Sequence, residues 1–152
     1  MKRNMIIMIS CILAVCLCAT GCGKVVESLL QAQDEANQNR RRDEIEQELG
    51  VCFSDLTPVE EKYMIDFQGW GYYYLEFDCS EEPEGIAGNP NWSAFPASAR
   101  FEEFLGKTNA PMHIDTESVQ GVWFLNEHYE RSRTFAVYDS AARRLTVCME
   151  AR

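Results

Sequence analysis

Between Tyr72 and Cys79 the chain reads Tyr-Tyr-Tyr-Leu-Glu-Phe-Asp-Cys, and this alternation constrains the fold more than any other stretch. A period of two places Tyr73, Leu75 and Phe77 on one side of an extended segment and Tyr72, Tyr74, Glu76 and Asp78 on the other. Such a strand needs partners in a sheet. Residues 63–67 are also strand-like, and Gly69-Trp70-Gly71 between the two runs makes a turn, so a hairpin is predicted here. Three more runs predict a meander at the C-terminal end. Residues 120–125 set Val122 and Phe124 against Trp123 and Leu125, and the runs at 134–138 and 145–149 are joined by Asp139-Ser140-Ala141-Ala142-Arg143.

Helix signals fall in two places. Thr57-Pro58-Val59-Glu60 has a capping threonine, a proline suited to the first helical position and a glutamate that can close a capping box, so a short helix is predicted before the first strand. Residues 96–105 predict an amphipathic helix with Ala97, Phe101, Phe104 and Leu105 inward and Gly106 as its stop. Residues 80–96 read as an acidic, proline-containing loop, and 107–118 as irregular chain or a short strand. The expected architecture is α+β: an antiparallel sheet of about five strands with one or two helices packed on one face. The strand order stays open.

Ahead of the sheet, residues 24–50 are polar and lack an internal proline or glycine. Val26, Leu29 and Leu30 start an apolar stripe and Ile45 and Leu49 end one, but Gln33, Asn37 and Arg41 interrupt it. A helix without a continuous apolar stripe is not held by a core along its length. A solvated helical spacer is therefore expected, with Arg40-Arg41-Arg42 on its wet face. A coiled coil would need heptads that do not persist.

The N-terminal segment has a basic start at Lys2 and Arg3, an apolar run over residues 5–18, the small residues Ala19-Thr20-Gly21, and then Cys22. An export signal has this arrangement of charge, apolar stretch and small-residue cleavage site. The cysteine placed directly after the small triplet makes the segment resemble the bacterial lipoprotein signal. That resemblance covers about the first 22 residues and implies diacylation of Cys22 and cleavage between Gly21 and Cys22. Ala19 departs from the leucine most common at its position. The implied organisation is a signal peptide at 1–21, a lipid-anchored spacer at 22–50 and a small α+β domain at 51–152. The implied location is the cell membrane or outer membrane, facing the periplasm or the exterior. Two or more acyl chains hold a protein on a bilayer where one does not.

Charge narrows the partners. The chain has 14 basic and 24 acidic side chains for a net charge of −10; only Lys2 and Arg3 fall within residues 1–21, so removing that segment leaves −12. Nucleic-acid binders carry basic patches, and an acidic body is repelled by anionic headgroups. The expected partners are thus a membrane, through lipid alone, and an envelope protein or cell-wall component; no nucleic acid and no cofactor are expected.

Cys52, Cys79 and Cys148 remain after the export segment. They allow three single disulfides, and spacing does not choose among them. Cys79 and Cys148 both lie near strand ends, so that pair comes first. His113-Ile114-Asp115-Thr116-Glu117 is the nearest approach to a metal-binding sequence. If extended, it sets His113, Asp115 and Glu117 on one face, with His128 as a further ligand from elsewhere. A solvated loop is the plainer reading, and no metal is expected. Serines 93, 98, 118 and 140 form no nucleophile elbow, so no catalytic residue is assigned and the chain is not expected to be an enzyme. Trp70, Tyr72, Tyr74 and Trp92 could build an aromatic platform for a partner, since aromatic residues are enriched at interface cores. The domain's strand, helix, Trp-strand and closing hairpin loosely resemble small bacterial lipoproteins, which brings no function with it. The expected role is a non-enzymatic binding or accessory module at the envelope. The alternatives are an immunity or inhibitor lipoprotein acting on a basic target enzyme, and a metal-dependent hydrolase.

Overall fold

A computed structural model of the chain describes residues 27–66, 68–128 and 132–151. The expected signal segment and Cys22 lie outside them. Helix α1 covers residues 27–49. After a 3₁₀ turn at Phe53–Asp55 come β1 (Thr57–Ile65), β2 (Gly71–Asp78), β3 (Trp92–Ala94), α2 (Ala99–Leu105), β4 (Gly121–His128), β5 (Ser132–Asp139) and β6 (Arg144–Ala151). The six strands form one sheet in the order β1-β2-β6-β5-β4-β3, antiparallel throughout. The expected α+β class is therefore met, with one strand more than the estimate. The extra strand is β3, a three-residue piece of the presumed loop that pairs Trp92 with Phe124 and Ser93 with Trp123.

The chain divides into two compact units, residues 1–40 and 41–152. Within the first, the described part is the start of α1, where Leu29 and Leu30 are exposed and Gln31 donates to Glu35 one turn on. All that follows concerns the second unit. It takes in residues 41–50, which the sequence assigned to the spacer, because Ile45 and Leu49 are fully buried against the sheet. Two apolar side chains four residues apart suffice for one helical face over a single turn, and the failure of the stripe further upstream does not bear on them.

Residues 57–60 are strand, not helix. Thr57 and Pro58 pair with Asp78 and Phe77, and a bulge between Pro58 and Glu60 resets the register so that Glu61 faces Leu75. A capping box satisfies two N–H groups, whereas joining β2 satisfies a ladder along nine residues. The proline fits because β1 is an edge strand. Pro58, the bulge, Glu60 and Lys62 also blunt that edge against pairing with another chain. The hairpin turn depends on Gly71 (φ 139°): a Cβ there would sit 1.8 Å from the Met64 carbonyl oxygen.

Alternation along the strands separates two cores as the sequence implied. Tyr73, Leu75, Phe77, Phe124, Ala136, Tyr138, Leu145, Val147 and Met149 share one face with Ile45, Leu49, Val51, Phe53, Ile86 and Trp92. Tyr74, Phe135, Val137 and Cys148 share the other with Phe101, Ala110 and Met112. Helix α2, capped by Ser98 accepting from the Phe101 N–H at 3.2 Å, buries Phe101 against that second face, where it lies 4.9 Å from the Trp123 ring centroid. The first face is closed by the end of α1 and the loop at 80–91. The Leu49 carbonyl accepts from the Trp92 indole at 3.1 Å and the Asn89 amide at 3.2 Å, and Glu48 accepts from Asn126 and Thr134, each at 2.6 Å. Gly85 (φ 95°) lets the loop touch the helix end, since a Cβ there would lie 1.7 Å from the Gly50 carbonyl oxygen.

Leu49→Ala should cost about 2–5 kcal/mol in urea unfolding, the range for emptying a buried leucine site. Leu29→Ala, at an exposed position of the other unit, should change it by less than about 0.5 kcal/mol. Equal, small effects would place residues 41–49 outside the folded unit.

Candidate binding site

The second face of the sheet is covered by α2 and by the irregular segment at 107–119, which crosses the sheet as bare loop. Loop cover is thinner than helix cover, and hollows open on both sides of it. One hollow, about 520 Å³, is walled by Trp70, Gly71 and Tyr72 at the start of β2, Glu150 and Ala151 at the end of β6, and Lys107 and Asn109 of the loop. Another, about 460 Å³, lies over Tyr74, Glu76, Val137 and Arg144, under His113 and Asp115. Ligand sites generally span ~300–1,000 Å³, so both are large enough.

The first hollow has a fixed rim and a fixed floor. Trp70 stands at the hairpin tip with 59% of its surface exposed. Its backbone is held by Asp66: the carboxylate accepts from the Trp70 and Gln68 N–H groups at 2.9 Å each, and the Asp66 N–H donates to the Trp70 carbonyl at 2.9 Å. At the floor, Glu150 is only 7% exposed. Its carboxylate pairs with the Arg133 guanidinium at 3.0 Å, and that guanidinium lies 4.5 Å over the Phe104 ring. Arg133 and Glu150 face each other across β5 and β6. A buried pair of this kind loses about 3–5 kcal/mol if one partner is removed, so the carboxylate is held in place by its own surroundings.

The second hollow is lined by carboxylates already in use. Tyr74 donates to Glu76 at 2.9 Å, Arg144 donates to Glu76 at 2.7 Å and to Asp78 at 2.9 Å, and Lys62 pairs with Glu60 at 2.6 Å. Burial, reinforced by the Glu76 carboxylate, holds the Tyr74 phenol well above its ordinary value of 10.0. Burial likewise pushes up the Cys148 thiol, with Glu150 adding to it, and the Cys79 thiol.

The aromatic set singled out in the sequence is divided by the sheet. Trp70 and Tyr72 meet at the first hollow, Tyr74 is buried beside the second, and Trp92 lies on the opposite face against Phe124. The four do not form one platform, because strand alternation and the β3–β4 pairing send Trp92 inward. His113, Asp115 and Glu117 are exposed but not extended: the Asp115 carboxylate accepts from the Glu117 N–H at 3.2 Å and turns the chain there. Among the described residues no group of three His, Cys, Asp or Glu side chains is placed to hold a metal ion; the His128 side chain lies outside them.

The Cys79–Cys148 disulfide put first from the sequence is not formed. Both are free thiols, as is Cys52, and they belong to cores on opposite faces of the sheet. Nearness to strand ends does not specify which way a side chain points; that depends on register. Glu150 and Arg133 went unnoticed in the sequence, although a signal was there. Counting outward from the turn at 139–143 sets Arg133 opposite Glu150, a pair of opposite charges like Asp139 and Arg144 at the turn end but at the far end of the hairpin.

No family model, curated protein or solved structure matches this chain.

Two solution properties follow from the thiols and the phenol. Cys52 is exposed while Cys79 and Cys148 are buried and held protonated. Maleimide should label Cys52 in the native protein and the other two only after unfolding, read by peptide mass spectrometry; native labelling of Cys148 would contradict its burial. Tyr74 and Cys148 have raised values in the fold, so their stabilising contribution is complete below the ordinary values of 10.0 and 9.0 and is lost as pH rises beyond them. The urea midpoint should therefore fall between pH 8 and pH 11. An unchanged midpoint would mean that these groups titrate as they do in the unfolded chain.

Proposed function

We propose that the chain is a lipid-anchored module of the bacterial cell envelope that binds a partner without turning it over, and that it does so through the hollow walled by Trp70 and Tyr72. One observation carries this reading: a largely exposed indole stands beside a charged side chain that is almost fully buried and already paired. Exposed tryptophan is costly in water and is enriched at sites that bind. The location half of the proposal rests on the N-terminal sequence. Lys2, Arg3, the apolar run and Cys22 after Ala19-Thr20-Gly21 supply an anchor, and the acidic remainder contributes no attraction to anionic lipid. Among the described residues no helix is long and apolar enough to cross a membrane.

A second reading, an inhibitor of a basic enzyme, is favoured by the excess of 24 acidic over 14 basic side chains. Complementary charge of that kind raises association rates and falls off with salt.

Cells fed labelled palmitate should incorporate it into the wild-type chain but not into Cys22→Ser, which should also leave the membrane fraction. Equal labelling and equal sedimentation would remove the anchor. Pull-downs from native membranes should lose a partner with Trp70→Ala while far-ultraviolet circular dichroism and the urea midpoint stay unchanged. A partner retained by Trp70→Ala but released by high salt would favour the inhibitor reading.

A further inference from the structure

We infer that the Trp70 hollow is a site for a neutral saccharide; this rests on the reading of that hollow as the binding surface and names its ligand class. The charges around the hollow are the starting point. Glu150 is neutralised by Arg133 at 3.0 Å, and the Lys107 ammonium is paired with Glu103 one turn away. Each formal charge that reaches the hollow thus has a counter-charge of its own. A cation would have to compete with Arg133 for the carboxylate, and an anion with Glu103 for the ammonium. What the hollow offers instead is hydrogen-bonding capacity without net charge. The Asn109 amide can both donate and accept, and the Lys107 ammonium has three N–H groups, not all of which the Glu103 carboxylate uses.

Beside this polar floor stands a flat aromatic wall, the Trp70 indole with Tyr72 next to it. A pyranose ring has the matching two-sided character. One face presents C–H groups that pack on an aromatic surface, and its edge carries hydroxyls that each donate and accept. The backbone that carries the wall and the carboxylate at the floor are both held in advance. The hairpin loop is fixed through Asp66, and Glu150 is fixed through Arg133, which is itself stacked on Phe104. Little ordering is then left to oppose binding. A protein partner seeking a hot spot would gain from a larger apolar surround, whereas here Ala151 adds only a methyl group to the two rings and Gly71 adds no side chain.

The test uses the full chain purified in detergent and three soluble neutral probes: chitotriose, cellotriose and maltotriose. Tryptophan fluorescence is read, with spermine and inorganic phosphate as charged controls. At least one trisaccharide should give a saturable blue shift and neither control should. Because Trp70→Ala removes the reporting indole, the variants are read by isothermal titration calorimetry: Trp70→Ala should abolish the heat of sugar binding, and Asn109→Ala should weaken binding roughly tenfold. Both positions are exposed, so far-ultraviolet circular dichroism and the urea midpoint should be unchanged in each variant. No saturable shift with any of the three sugars overturns the saccharide site. If Trp70→Ala still loses a protein from the native-membrane pull-down, the hollow is a protein-binding surface and the proposed function stands. If it loses nothing there either, both fall. A shift with spermine or phosphate would equally overturn the neutrality on which the inference rests.

Discussion

A sheet whose middle strands are apolar on both faces has to be covered twice, and this requirement organises the second unit. Strand β5 is buried at every position from Arg133 to Tyr138, and β6 at most of its length. With Tyr73 and Tyr74 adjacent and both buried, β2 makes the same demand. Leaving either face open would expose several large side chains, each worth ~1.5–3 kcal/mol on burial. The two covers are built differently. On one face the end of α1 and the loop at 80–91 are tied together at a single carbonyl, that of Leu49, which takes N–H groups from both Asn89 and Trp92. A helix C-terminus leaves its last carbonyls unpaired, and here one of them becomes the joint between helix, loop and β3.

The other cover is one short helix and a length of irregular chain. Helix α2 has seven residues and seals only the neighbourhood of Phe101. The remainder of that face lies under residues 107–119, where Ala110 and Met112 are the buried contributions. Irregular chain must keep its own polar groups satisfied, as Asp115 does by turning back on Glu117 and Ser118. It therefore follows the sheet less closely than a helix would. The two hollows beside residues 107–119 follow from this looser cover. Function-bearing concavity and incomplete cover have the same physical origin here.

Much of this was legible from side-chain period. The alternations at 72–79 and 120–125 assigned the correct faces, and the Phe101 helix with its Gly106 stop followed from its apolar spacing. What failed was local signal set against long-range pairing. Thr57-Pro58-Val59-Glu60 carries real capping chemistry, but the nine-residue ladder with β2 outweighs it. The apolar stripe of α1 is broken over its whole length, yet Ile45 and Leu49 alone suffice to meet the core. The division of the four aromatics, and the placement of Cys79 and Cys148 on opposite faces, depend on register and strand order, which no single segment encodes. The Arg133–Glu150 pair lies between these cases. The closing hairpin was correctly read, and its register could have been counted from the turn.

A shallow hollow with one aromatic wall cannot by itself bind tightly, since it buries little apolar surface and its polar groups lose water on binding. The proposed lipid anchor changes what is needed. Holding the domain at a membrane confines it to a thin layer and converts each encounter with an envelope-bound ligand into a nearly intramolecular one. Effective concentrations for short flexible tethers reach the millimolar range, so a millimolar site is then substantially occupied. On this reading weak recognition is what the design permits, because location supplies the affinity that the hollow lacks.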